Sequence, residues 1–131
     1  MSDKKYTIED LFSDKGAFNE HEIAKAIYPF VTIQKDTNEI FFKSNELSTD
    51  EKILTYGLAK KLLKVKGCIE SEMITAIELH RKTGIKKGTI DPTFKNLKES
   101  GYIVGKREYE IPLFKVSEII DMINKKSNGE D

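Results

Sequence analysis

Apolar residues recur at three- and four-residue spacing in several stretches of the chain, which predicts a mostly helical protein. Ile23, Ala26 and Ile27 give one face to a helix over Asn19–Tyr28, with Asn19 and Glu22 as a capping pair and Pro29 as its stop. Ser48-Thr49-Asp50-Glu51 is a second capping box. The helix it opens runs to about Lys66 and ends at Gly67. Leu54, Leu58, Leu62 and Val65 form its stripe, widened by Ile53 and Leu63. Gly57 inside it costs about 1 kcal/mol relative to alanine, which points to a close approach by another element. Ile74, Ile77 and Leu79 predict a short helix that stops at Gly84. Ile90, Phe94 and Leu97 predict the next, closed by Gly101. Val116, Ile119, Ile120 and Ile123 stripe a last helix over Lys115–Lys125.

Between these lie shorter runs of β-branched and aromatic residues. Phe30–Gln34 and Glu39–Lys43 read as a β-hairpin turning at Lys35-Asp36-Thr37-Asn38. A two-stranded hairpin is marginal alone, so it either extends the core or offers a partner surface. Cys68-Ile69 reads as a short strand. Tyr102-Ile103-Val104 and Tyr109-Glu110-Ile111 read as a second hairpin turning at Gly105-Lys106-Arg107-Glu108, with Pro112 ending it. Thr7–Phe12 fits one helical turn, and residues 127–131 are expected to be disordered.

The run Glu78-Leu79, Thr83-Gly84-Ile85, Thr89-Ile90, Phe94-Lys95, Leu97 and Gly101-Tyr102-Ile103 resembles the winged helix-turn-helix DNA-binding domain family, the MarR/ArsR-like or archaeal-type transcriptional regulators. The resemblance covers about 30 residues. It implies a helical core with a small antiparallel wing; with the N-terminal helix and β-hairpin extension and the C-terminal helix read from the pattern, the chain is expected to be α+β, mostly α. The implied division is residues 1–47 as the extension, 48–114 as the winged helix-turn-helix domain, 115–126 as the C-terminal helix and 127–131 as a tail.

Charge sharpens this picture. The 131 residues are formally neutral, with 22 basic and 22 acidic side chains. Yet Arg81, Lys82, Lys86, Lys87, Lys95, Lys98, Lys106 and Arg107 face only Asp91 and Glu99 between residues 81 and 107. A basic third in a neutral chain suits an anionic partner on one face, or is simply a solvated surface. By the resemblance, Lys86, Lys87 and Thr89 would meet phosphates. Thr93, Lys95 and Asn96 would reach base edges or flanking phosphates, and Lys106 and Arg107 would serve the wing. Asp91-Pro92 departs from the family pattern. Asp91 either lies in the helix, able to accept from a cytosine amino group, or caps a helix that starts late at Pro92. His80 stands where the family usually has alanine and is expected to tilt outward.

Two histidines on separate predicted helices and one cysteine lack metal-ligand spacing, and no phosphate-binding loop is present, so neither enzyme nor cofactor is expected. Cys68 is expected to be a small buried residue in a reducing, cytoplasmic compartment. Glu70/Glu72 and Glu108/Glu110 are expected to face solvent. No apolar run nears the roughly 20 residues that span a bilayer, and Met1–Lys5 is too polar to open a signal peptide. The expected partner is duplex DNA, in transcriptional regulation. The alternative is a protein-interaction module with its partner at the 30–43 hairpin. The Ile119, Ile120, Ile123 stripe either folds back on the domain or forms a homodimer.

Overall fold

A computed structural model describes residues 20–127. The expected turn at Thr7–Phe12, the Asn19 cap and residues 128–131 lie outside that range. The described chain is α+β and mostly helical. Its elements are α1 (Glu20–Ile27), β1 (Val31–Ile33), β2 (Ile40–Phe42), α2 (Thr49–Val65), β3 (Ile74–Thr75), α3 (Ala76–Thr83), α4 (Lys87–Glu99), β4 (Val104–Lys106), β5 (Glu108–Glu110) and, after a 3-10 turn at Leu113–Lys115, α5 (Val116–Ser127). Ser127, expected in the tail, is the last residue of α5.

α2 is the central element. Its capping box forms as expected: the Ser48 N–H donates to Glu51 Oε1 at 2.8 Å, and the Glu51 N–H donates to Ser48 Oγ at 3.2 Å. The helix then packs against α1, α4 and α5. Burial therefore runs around most of its middle, taking in Ile53, Leu54, Tyr56, Leu58, Ala59 and even Lys61. The expected single stripe is corrected at its end: Leu62 is half-buried and Val65 exposed, while Lys61 and Leu63 take the buried positions. At Gly57 a side chain would stand 2.9 Å from Ile111 Cδ1 and 3.4 Å from Ile74 Cδ1. The close approach expected there is that of the sheet.

The sheet has the order β3-β5-β4, antiparallel throughout, with Ile74 opposite Tyr109 and Gly105 opposite Tyr109 on the other side. Its first strand is Ile74–Thr75, not Cys68-Ile69. The Cys68 N–H is spent closing α2, donating to Leu63 O at 2.8 Å, and its thiol is exposed rather than buried. Ile74 is correspondingly a strand residue and not part of the helix that follows. β1 and β2 pair separately, Val31 with Phe42 and Ile33 with Ile40, as the hairpin reading expects. Phe30, Val31 and Ile40 enter the same core as α2, so the hairpin extends that core.

α1 and α5 cover one side of α2 together. Val116, Ile119, Ile120 and Ile123 are all buried within the chain. Of the two fates open to that stripe, it folds back on the domain, and these side chains are not available to a second copy. Removing buried methylenes costs transfer free energy plus the cavity left behind. Ile123→Ala should therefore lower stability by about 2–5 kcal/mol in a urea titration while leaving the sedimentation coefficient unchanged. A change of oligomeric state instead would place this stripe at an interface.

Candidate functional site

The basic third of the chain maps onto α3, α4 and the β4–β5 hairpin. α3 starts where Thr75 leaves the sheet, its hydroxyl accepting from the Glu78 N–H at 3.1 Å. It ends at Gly84, left-handed at φ 81°, whose N–H donates to His80 O. Leu79 is its buried residue, while Ile77 is 53% exposed, which corrects the expected apolar pair. His80 tilts outward and places Nδ1 2.9 Å from Ile85 O, bracing the turn between the helices.

α4 begins at Lys87, with Lys86 in extended conformation before it. Asp91 and Pro92 therefore lie inside the helix, and the late start is excluded. Pro92 has no N–H to donate to the Gly88 carbonyl; both residues are exposed, so water can satisfy that carbonyl. Ile90, Phe94 and Leu97 are buried as expected, and Thr93 joins them at 8% exposure. The Thr93 hydroxyl donates to Thr89 O at 2.7 Å. Thr93 is thus removed from the candidate contact residues: its hydroxyl is satisfied by the preceding turn, and that permits a polar residue on the packed face.

At 100° per residue, that buried face leaves Gly88, Pro92, Lys95 and Glu99 pointing straight out. Lys87, Asp91 and Lys98 flank them on one side, Thr89 and Asn96 on the other. Lys86, Lys87, Thr89, Lys95 and Asn96 are all exposed. The Phe94 and Tyr109 rings stack at 4.5 Å, tilted 36°, and hold the hairpin beside α4. A cleft of ≈ 560 Å³ lies between them, with Lys87, Asp91, Ile77 and Arg107 on its walls. Lys87 and Arg107 are thereby brought together, whereas Thr89 and Asn96 stand away from the cleft.

The hairpin is tighter than expected. Lys106 pairs with Glu108, leaving only Arg107 between them, at φ 64°. Gly105 makes this possible: at φ 135° a side chain there would lie 2.0 Å from Glu108 O. Lys106 and Arg107 are both exposed at the tip.

Pairing distinguishes these cations from others in the chain. Of the eight basic residues between 81 and 107, Lys82 bonds Glu39 at 3.0 Å; the other seven make no ion pair among the described residues. Behind them lies a polar network that residue-by-residue reading missed. Lys60 Nζ donates to Met73 O at 2.7 Å and to both oxygens of Glu78, at 3.0 and 2.7 Å, and the Tyr56 hydroxyl donates to Glu78 Oε2 at 2.8 Å. This ties α2 to the start of α3. Lys61 and Glu72 form a buried ion pair, so Glu72 does not face solvent as expected. The signal for α3 was present as Thr75-x-x-Glu78, a cap pattern masked by the Ile74–Ile77 spacing. Of the aromatics on the two hairpins, Phe41 is 46% exposed, while Phe42 and Tyr109 are half-buried.

Among the described residues, no group of three or more His, Cys, Asp or Glu could hold a metal ion, and no helix is long and apolar enough to cross a membrane. Comparison with protein-family models, curated proteins and solved structures gives no match, and the reading of the site rests on its own geometry.

Burial raises the Tyr56 pKa first, and its hydrogen bond to Glu78 raises it further. A phenol that ionises in the unfolded chain near pH 10 but stays protonated in the fold contributes stability that is intact below that pH and lost above it. Stability measured in urea should fall as pH rises beyond about 10, and Tyr56→Phe should flatten part of that fall. An unaltered slope in the variant would show that Tyr56 does not carry the effect. Gly105→Ala should disrupt the hairpin, costing at least about 1–3 kcal/mol from backbone strain alone and broadening the amide signals of residues 104–110.

Proposed function

We propose that the chain is a winged helix-turn-helix protein that binds duplex DNA, α4 entering the major groove and the β4–β5 hairpin serving as the wing. The observation that carries this reading is the set of seven unpaired cations around α3, α4 and one adjacent hairpin tip. On α4 the acids Asp91 and Glu99 alternate with Lys87 and Lys95 at i±4 spacing, yet no ion pair forms between them. Here Asp91 and Glu99 are the only acids between residues 81 and 107. The order of elements supports it as well: two helices joined by a short turn, then a hairpin anchored on the second helix by Phe94 and Tyr109.

On this reading Lys86, Lys87, Lys98, Lys106 and Arg107 neutralise phosphates, with the hydroxyl of Thr89 a further donor to the backbone. Lys95 and Asn96 face base edges. The role is in transcriptional regulation, in a reducing cytoplasmic setting that tolerates an exposed Cys68 thiol. The alternative, a protein-docking surface on the 30–43 hairpin, has the exposed Phe41 in its favour.

Fluorescence anisotropy of a labelled random duplex of about 25 base pairs, at two salt concentrations, tests the proposal. Binding should weaken steeply with salt, since each neutralised phosphate adds close to one unit to the logarithmic slope. Lys95→Glu combined with Arg107→Glu should abolish binding and leave the melting temperature nearly unchanged, both side chains being exposed. No binding at low salt would overturn the proposal and move attention to the hairpin. Unchanged affinity of the double variant would remove this face from it.

A further inference from the structure

The one acid on the first half of α4 has no evident structural employment. Asp91 is exposed and makes no hydrogen bond or ion pair among the described residues. Lys87 and Lys95 stand four residues to either side of it, at the spacing where helical ion pairs form, and neither pairs with it. Lys87, Asp91, Arg107 and Glu108 share the cleft between α4 and the hairpin, and of its two carboxylates Asp91 is the one on the helix, unpaired beside unpaired cations. Against a phosphate such a group is repulsive, and a purely electrostatic DNA surface has no use for it.

Its neighbours restrict what it can meet. Gly88 has open space around the position of an absent side chain, and Pro92 offers a ring with no donor or acceptor. Within the second turn of α4 the carboxylate is then the only exposed hydrogen-bonding side chain, and it can only accept. Among groups on the major-groove edge, donors are the amino groups of cytosine and adenine. Adenine places its N7 acceptor beside its amino group, which repels a second carboxylate oxygen, whereas the edge of cytosine beside its amino group is carbon-bound hydrogen. The cytosine edge is the one that suits a carboxylate flanked by an apolar ring.

We propose that Asp91 is a specificity-determining residue that selects cytosine by accepting from its N4 amino group, with the Pro92 ring against the apolar edge of the same or the adjoining pyrimidine. This rests on the duplex-binding reading. Lys87 and Arg107 hold phosphates on either side, and the repulsion between Asp91 and the backbone disfavours every register except the one that places a cytosine amino group before it.

The test is selection from a pool of duplexes of about 25 base pairs randomised at roughly ten central positions, near one helical turn, followed by sequencing. Wild-type protein, Asp91→Asn and Glu99→Gln are compared, the last removing an equal charge from the final residue of α4. Wild type should enrich cytosine at one position by roughly tenfold. Asp91→Asn should lose that enrichment, and Glu99→Gln should keep it. Both variants should bind unselected duplex slightly more tightly than wild type, since each removes one negative charge.

Equal cytosine enrichment by wild type and Asp91→Asn would overturn the inference. So would a lowered melting temperature in Asp91→Asn with unchanged base preference, which would make Asp91 a helix-stabilising residue. Wild-type binding without any base enrichment would also overturn it while leaving duplex binding intact. A wild type that retains no duplex at low salt would remove both readings.

Discussion

Contact between α2 and the small sheet at Gly57 is the constraint on which the remaining packing depends. Ile111 and Ile74 sit where a side chain would project, so the helix and the sheet meet almost backbone to side chain. That proximity draws β3 and the end of β5 into the core and sets where α3 starts, since Thr75 is both the last sheet residue and the cap of α3. With its other sides taken by α1, α4 and α5, α2 has little surface left for water. Among the polar side chains this helix buries, Lys61 is paired with Glu72, and the Thr55 hydroxyl has no hydrogen-bond partner.

The same helix governs the exposed basic face indirectly. Lys60 and Tyr56 converge on Glu78, one turn into α3, and fix that helix against α2 before any cation is considered. α4 is then placed by Leu79 from below and by the Phe94–Tyr109 stack from the side. Two acids near this face are engaged elsewhere, Glu78 with Lys60 and Glu39 with Lys82, while Asp91, Glu99 and Glu108 stay exposed among the cations. Long-range repulsion among these cations is modest at physiological salt, where charges farther apart than about 8 Å are screened.

Much of the architecture was legible from local pattern. The Ser48–Glu51 box, the stop at Pro29, the cap at Gly84 and the Ile90, Phe94, Leu97 stripe each announce themselves within a few residues. What escaped was decided by partners distant in sequence. A two-residue strand such as Ile74–Thr75 has no alternation to detect, and it exists only because Tyr109 and Glu108 arrive opposite it. Cys68 is a residue type usually found inside, yet its position is set by the turn that closes α2. Thr93 entered as a contact residue by the family resemblance, and its bond to Thr89 O was not visible in the sequence. The basic face was legible as a charge count; its lack of counterions was not, because that depends on where every carboxylate ends up.

The brevity of the β4–β5 hairpin has a geometric corollary. Each strand is three residues long, so at about 3.3 Å per residue the hairpin extends roughly 10 Å and carries a single residue at its tip. That reach is shorter than the roughly 12 Å width of a major groove. One molecule on a duplex would therefore span from α4 to the nearest backbone strand and no farther, leaving the opposite face of the helical turn open to another protein.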